Sequence, residues 1–369
     1  MSLRVVVAAG GTAGHVFPGL ALARELAVRG HRPCFVGTAA GQEARLVPEA
    51  GFPFAAVPAT PFLRELSPRA LRGPAVAARA VGAARRLVRG ADVVIGMGGY
   101  ASLPTALAAR MERVPLALHE QNAVPGLANR IVARAAAAVA LGFADAAARL
   151  PRGTRTVVTG NPVREPILAV PAARERLAAE AREAWDLAPG HTTLVVFGGS
   201  QGARRIDLAA VAACRILASR NDLQVLLITG PSNLEETRAL LPAPGALLVR
   251  AEGFVERMDR ALAVADLVVA RAGASSIAEV TVCGLPSVLV PYPYATGRHQ
   301  DANAAALARA GAADVMADRM LSGEALAGTI ERMTANPDAL RAMAGRAAAA
   351  GRPDAAARLA DLVEEVAAR

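Results

Sequence analysis

Two short runs of apolar, largely β-branched residues end directly in glycine pairs and then resume as helical sequence. Leu3 to Ala9 runs into Gly10-Gly11-Thr12-Ala13-Gly14-His15, and Thr193 to Phe197 runs into Gly198-Gly199-Ser200-Gln201-Gly202-Ala203-Arg204. A buried strand that turns tightly into a helix begins a βαβ unit, and such units commit a chain to a parallel sheet flanked by helices. Glycine permits the tight turn and leaves bare N–H groups at a helix N-terminus, where an anion can be held. A third run, Asp92 to Ile95, enters Gly96-Met97-Gly98-Gly99-Tyr100, which a plain turn explains as well as a binding loop does.

The rhythm continues around these loops. In the first half, helical sequence over Pro18 to Arg29, Ala70 to Arg89 and Leu103 to Arg113 alternates with strand-like Pro33 to Val36 and Phe54 to Val57. Pro18 is expected in the first helical turn. After Pro151, Pro162, Pro166 and Pro171 the pattern restarts, with strands expected at Leu223 to Ile228, Leu247 to Val249, Leu267 to Ala270 and Ser287 to Val290. A chain of 369 residues exceeds one ordinary core. The expectation is an α/β protein of two domains, residues 1–163 and 164–353, with a helix over 354–369 packing back on the first. That helix carries Leu359, Leu362, Val363 and Val366 on one face, with Asp354 as its expected cap.

Composition removes several chemistries. All 41 Lys and Arg positions are arginine, so there is no P-loop lysine, no Schiff base and no pyridoxal phosphate linkage. Cys34, Cys214 and Cys283 are too scattered for a disulfide framework or a zinc knot. Neither glycine loop reads G-x-G-x-x-G, and the second strand ends in Val36-Gly37-Thr38 with no carboxylate for an adenosine ribose, which argues against a nicotinamide cofactor. There is no D-x-D for a divalent ion, so no metal and no cofactor are expected, and the charge of a departing diphosphate falls to helix N-termini, amides and arginine. Aromatic residues make up 3%, too few for nucleic-acid stacking platforms. No run of about 18 apolar residues and no signal peptide is visible, so a cytoplasmic location is expected.

One segment suggests a membrane surface. From Arg64 to Arg89 seven arginines and one acid, Glu65, interleave with Phe62, Leu63, Leu66, Leu71, Val76, Val81, Leu87 and Val88. Arg72, Arg79, Arg85 and Arg86 would meet anionic lipid while the apolar side chains enter the headgroup region. The same pattern also serves an ordinary solvated helix.

Further segments fall in order along the chain: His119-Glu120-Gln121-Asn122, Gly160-Asn161-Pro162-Val163-Arg164, Arg271-Ala272-Gly273-Ala274-Ser275-Ser276-Ile277-Ala278-Glu279, and His299-Gln300-Asp301-Ala302-Asn303-Ala304. With the glycine loops, they make the whole chain resemble the MurG family of peptidoglycan glycosyltransferases. The resemblance implies a GT-B fold, two Rossmann-like domains facing across a cleft, with the donor mainly in the C-terminal domain and the acceptor in the N-terminal one. It implies inverting transfer of N-acetylglucosamine from UDP to undecaprenyl-diphospho-N-acetylmuramoyl-pentapeptide, lipid I to lipid II. The expected setting is the cytoplasmic face of the bacterial membrane, with its anionic inner leaflet and a cell-wall synthesis complex as partners.

Donor-binding positions carried over from the family are Thr12, Ala13, Gly14, Asn122, Arg164, Ser200, Val255, Ala274, Ser275, Ser276, Ile277, Ala278, Glu279 and Gln300. Ala13 stands where many members have glycine, and Ala274-Ser275-Ser276 is a small-residue variant. Glu279 suits ribose hydroxyls, the backbone near Val255 the uracil edge, Arg164 and Ser200 the diphosphate, and Gln300 with Asn122 the sugar. For the base that takes the acceptor proton, His15 stands first; it can equally bind a phosphate or the acceptor. Glu120 and His119 are alternatives, or scaffolding for Asn122. Fold and donor site alone leave room for a soluble-acceptor glycosyltransferase, a non-hydrolysing UDP-N-acetylglucosamine 2-epimerase, or a sensor without catalysis.

Overall fold

A computed structural model describes residues 2–11, 13–59, 73–100 and 102–369. Thr12 and Arg72 lie outside them, as do Phe62, Leu63, Leu66 and Leu71. The chain forms two compact units, residues 1–164 with 352–369, and residues 165–351.

In the first unit β1 (Arg4–Ala8), β2 (Arg32–Gly37), β3 (Phe54–Ala56), β4 (Val93–Gly96), β5 (Leu116–Glu120), β6 (Ala138–Leu141) and β7 (Thr156–Val158) make one parallel sheet. Its order is β3-β2-β1-β4-β5-β6-β7. The crossovers include α1 (Ala13–Val28), α2 (Glu43–Glu49), α3 (Gly73–Val88), α4 (Ser102–Glu112) and α5 (Leu127–Val132). Helices on both faces bury Val5 to Ala8 of β1 and all of β4, which is why these strands read as continuous apolar runs rather than alternating ones. Val5, Val7 and Ile95 enter one core layer with Leu22 and Leu26 of α1, and Val6, Val94 and Leu118 enter the other with Val88 of α3.

The C-terminal helix, Ala355–Ala367, belongs to this unit and buries Leu359, Leu362, Val363 and Val366 in the α1 layer. Arg29 reaches Asp361 and Glu364, and His31 Nε2 lies 2.9 Å from Glu364, so polar ties flank the apolar seam. Two expectations need correction. Asp354 sits at φ −84°, ψ 5°, outside the extended conformation of a cap, and its carboxylate goes to Arg358 instead of a helix N–H. Pro18 lies in the second turn of α1, which already starts at Ala13, so the helix proceeds past a residue that brings no N–H to its ladder.

The second unit repeats the plan with β8 (Thr192–Phe197), β9 (Leu223–Ile228), β10 (Leu248–Glu252), β11 (Leu267–Arg271), β12 (Ser287–Val290) and β13 (Asp314–Val315), in the order β10-β9-β8-β11-β12-β13. All pairings are again parallel. Its helices are α6 (Glu165–Leu168), α7 (Val170–Trp185), α8 (Arg204–Ile216), α9 (Leu234–Leu240), α10 (Met258–Val264), α11 (Ala274–Val282), α12 (His299–Arg309), α13 (Gly323–Thr334) and α14 (Pro337–Ala350). In each sheet the winding reverses once, between β1 and β4 and between β8 and β11. Crevices beyond the strand C-termini at such reversals are where open parallel sheets hold ligands, and all three glycine loops lie there.

Candidate functional site

At the first reversal, Gly11, Gly98 and Gly99 have φ of +98°, +90° and +78°, the left-handed region that other residues enter at a cost. A Cβ on Gly99 would come 2.3 Å from the Gly10 carbonyl oxygen, and one on Gly98 would come 3.1 Å from the His15 ring. The β4 loop is therefore folded tightly against the β1 loop, with the half-buried His15, in the first turn of α1, lying over it. Ala13 and Gly14 open that helix.

A residue the sequence reasoning missed braces this loop. Glu43, on α2, is fully buried; its Oε1 accepts from the Thr38 N–H at 2.8 Å and hydroxyl at 2.7 Å, and its Oε2 from the Gly11 N–H at 3.2 Å. Gly37 and Gly41 make room for it, since a Cβ at either would fall within 2.5 Å of its side chain. The signal in the sequence was that glycine spacing. The absence of an acid at the end of β2 speaks only to an adenosine ribose, while the acid a few residues on points into the glycine loop instead.

The end of β5 carries His119 and Glu120, both buried. Glu120 Oε1 accepts from the Asn122 N–H at 2.9 Å and its side-chain amide at 3.4 Å; Oε2 accepts from the Gly126 N–H at 2.9 Å and Asn129 Nδ2 at 2.8 Å. Burial pushes this carboxyl above the usual range, and the hydrogen bonds from Asn122, Gly126 and Asn129 pull the other way. Both oxygens are committed to the loop that presents Asn122, so the arrangement is that of an anchor. Burial holds the His119 ring at about 4, leaving it neutral near pH 7, with Nε2 3.3 Å from the Gly160 carbonyl. Arg164, at the end of the same unit, stands 4.6 Å over the Phe17 ring as a cation–π pair.

At the second reversal the β8 loop packs backbone to backbone against the loop after β9. Gly202, at φ +73°, would carry a Cβ 1.9 Å from the Thr229 carbonyl oxygen, and Gly230, at φ +85°, one 2.8 Å from that of Gln201. Ser200 is exposed at the loop tip, ahead of the α8 N-terminus at Arg204. Across the reversal, β11 ends in Arg271-Ala272-Gly273 and α11 begins, so Ala274, Ser275, Ser276, Ile277, Ala278 and Glu279 occupy its first turns. Ala274 and Ile277 face the core; Ser275, Ser276, Ala278 and Glu279 are half-buried. Asn303 of α12 donates to the Ala272 carbonyl at 3.1 Å and fixes that turn.

Arg271 is buried and spent within the unit. It donates to the Val290 and Pro291 carbonyls at 3.3 Å and to Asp318 at 2.6 Å. Gln300 Oε1 accepts the Tyr292 N–H at 2.9 Å, which ties α12 to the loop after β12. Val255 is half-buried in the loop after β10. Ser200, Val255, the start of α11 and Gln300 thus gather at the C-terminal edge of the second sheet, while Ala13, Gly14, Asn122 and Arg164 belong to the first unit. Among the described residues no three His, Cys, Asp or Glu side chains gather as a metal-binding group, and no helix is long and apolar enough to cross a membrane.

Sequence comparison with known proteins points to one enzyme family. Residues 5–141 match the glycosyltransferase family 28 N-terminal domain and residues 193–359 its C-terminal domain. The chain is 39% identical to the UDP-N-acetylglucosamine–N-acetylmuramyl-(pentapeptide) pyrophosphoryl-undecaprenol N-acetylglucosamine transferase of Halothermothrix orenii over 99% of both chains. It is 44% identical to the enzyme of that name from Acidothermus cellulolyticus, over 99% of this chain and 98% of the relative. A crystal structure of MurG from Acinetobacter baumannii is similar with a TM-score of 0.78 at 31% identity, covering 98% of this chain and 99% of that one.

Proposed function

The chain belongs to glycosyltransferase family 28, among the lipid II-forming N-acetylglucosaminyltransferases, and from that premise we propose how its two switch-point loops divide the reaction. The fold is GT-B, and the enzyme moves N-acetylglucosamine from UDP-N-acetylglucosamine to lipid I in peptidoglycan synthesis. Identities of 39% and 44% across the whole chain set aside the epimerase and soluble-acceptor readings that fold alone left open.

In our reading the second unit holds the nucleotide. The diphosphate lies against the amides of Gly198 to Ala203 and the N-terminus of α8, with Ser200 and Arg164 adding donors. Glu279 accepts from the ribose hydroxyls, the backbone around Val255 reads uracil, and Gln300 and Asn122 take sugar hydroxyls. His15 removes the proton of the acceptor 4-hydroxyl as that oxygen bonds to the anomeric carbon and the bond to UDP breaks, which inverts the centre. Helix N-termini, amides and arginine offset the charge on UDP, so the proposed chemistry calls on no metal or cofactor. The observation that carries this reading is the position of His15, in the first turn of α1 and over Gly98-Gly99 at the reversal of the first sheet. Glu120 serves as the anchor that aims Asn122.

We propose peripheral attachment to the cytoplasmic membrane face through α3, α4 and α5. Leu107 and Met111 of α4 are 39% and 56% exposed, and Leu127 and Ile131 of the adjoining α5 are 61% and 54% exposed. Exposed Arg79, Arg86, Arg110, Arg130 and Arg134 lie on the same helices or directly beyond α5. Arg85 differs from the expectation placed on it: it is half-buried and paired with Glu112 of α4, so its charge is compensated within the protein.

Transfer of labelled N-acetylglucosamine from UDP to a lipid I analogue tests the reaction, with His15→Ala and Glu279→Ala alongside. Product is expected, with Glu279→Ala raising the donor KM and His15→Ala lowering kcat; the reverse pattern would exchange their roles. For the surface, Arg79→Glu with Arg86→Glu is expected to weaken binding to anionic vesicles by about 1 kcal/mol or more per reversed charge without changing donor KM. Equal vesicle binding would remove α3 from the membrane face.

A further inference from the structure

One buried acid in the second unit plays no part in the scheme above. Asp207 lies in the first two turns of α8, directly behind the β8 glycine loop, and is fully buried. Its Oδ2 accepts from Asn233 Nδ2 at 2.9 Å, and the same Asn233 amide donates to the Thr229 carbonyl at 3.1 Å. Asn233 follows Gly230, whose backbone packs against Gly202. Asp207 therefore bolts the β8 loop to the β9 loop through one asparagine, at the point where two left-handed glycines already bring the backbones into contact. Its other oxygen, Oδ1, is buried without a hydrogen-bond partner. A buried carboxylate with one protein donor is poorly compensated.

We propose that Asp207 is a positioning residue for the diphosphate loop and that its protonation state sets donor affinity. In either state it accepts from Asn233 and holds the two loops together; when ionised it also places a negative charge beneath the helix N-terminus that receives the diphosphate. This rests on the donor-site reading given above. The surroundings define when the charge appears. Arg271 of β11 attracts it, but that guanidinium is already paired with Asp318, which Arg205 also engages. Glu236 of α9 repels it and is itself held by Arg204. The charged residues of α13, packed along α8, are Glu324, Glu331 and Arg332, and all are exposed. Burial dominates and pushes the Asp207 carboxyl up to about 7, with the Asn233 bond and Arg271 opposing. The carboxyl thus changes charge across the neutral range.

Calorimetric titration of UDP-N-acetylglucosamine into the full chain at about pH 6 and about pH 8, either side of that midpoint, tests the idea. Both phosphates of this ligand are singly ionised across the range, so the ligand contributes no slope of its own. The wild type is expected to bind about five-fold more weakly at the higher pH, the effect of one unit charge a few ångströms beyond contact in a screened medium. Asp207→Asn is expected to bind with the wild type's acid-pH affinity at both values, because the amide keeps an acceptor for Asn233 and carries no charge. Asp207→Ala, which removes the bolt, is expected to bind more weakly at both. A wild-type slope that persists in Asp207→Asn overturns the proposal, as does a flat wild type. Asp207→Ala binding as tightly as Asp207→Asn would overturn the positioning role. Failure of every form to bind at either pH would defeat the donor-site reading itself, and this proposal with it.

Discussion

The two switch-point loops look alike as sequence, a strand ending in a glycine pair and turning into a helix, yet they are braced by acids in opposite circumstances. Behind the β1 loop, Glu43 is surrounded by three donors that use both of its oxygens. Behind the β8 loop, Asp207 has one donor and one bare oxygen. A buried carboxylate with donors on both oxygens acts as a fixed strut, whereas one left short of donors keeps a stake in being protonated. The first loop is thereby built for constant geometry around His15, and the second for a response to pH.

The largest effect expected from this contrast is catalytic. His15→Ala should lower kcat by about two to four orders of magnitude, the usual worth of a general base, while donor KM stays within a few-fold. Ser200→Ala, in the corresponding place of the second loop, should do the opposite and raise donor KM with kcat little changed. Steady-state kinetics at saturating lipid I analogue reads both. A His15→Ala variant that loses only donor affinity would show that the two loops do the same job.

Next in size is stability. Glu43→Gln turns an acceptor of three hydrogen bonds into a group with an NH₂ facing donors, and should cost about 2–4 kcal/mol, visible as a large fall in denaturation midpoint. Glu120→Gln should act in the same direction, because it too fills both oxygens with loop donors. If Glu43→Gln melts like the wild type, the strut description of the first loop fails.

Much of this was legible before any coordinates, and what was not has a common cause. The glycine loops announce themselves because glycine enters the φ values of Gly11, Gly199 and Gly202 without the cost other residues meet, and the β-branched runs before them read as buried strands. Strand β6, Ala138–Leu141, escaped notice because its alanines read as helix until neighbouring strands bury them. Glu43, Asp207 and Asn129 also escaped, since an acid or amide on a helix reads as a surface residue; their burial is decided by loops distant in sequence. The arginine-rich stretch signalled a surface, but pattern alone could not foresee that Glu112, from the next helix, would claim Arg85 and Arg89.

The smallest effect is also the one that most sharply separates the two acids, because it should have the opposite sign. Asp207 has its carboxyl raised from 3.8 to about 7 on folding. The folded chain therefore keeps a proton that the unfolded chain gives up. The stability this contributes is fully present below the unfolded value and is lost as pH rises through about 7. Asp207→Asn has no proton to lose. Its melting temperature should lie nearest the wild type's at the acid end, exceed it by a margin that grows as pH rises from 3.8 to about 7, and keep that margin above, by up to a few degrees for each kcal/mol released. Glu43→Gln should lie below the wild type throughout. Parallel melting curves for Asp207→Asn and wild type from pH 5 to pH 9 would mean that Asp207 is as well compensated as Glu43, and the distinction between strut and titrating bolt would collapse.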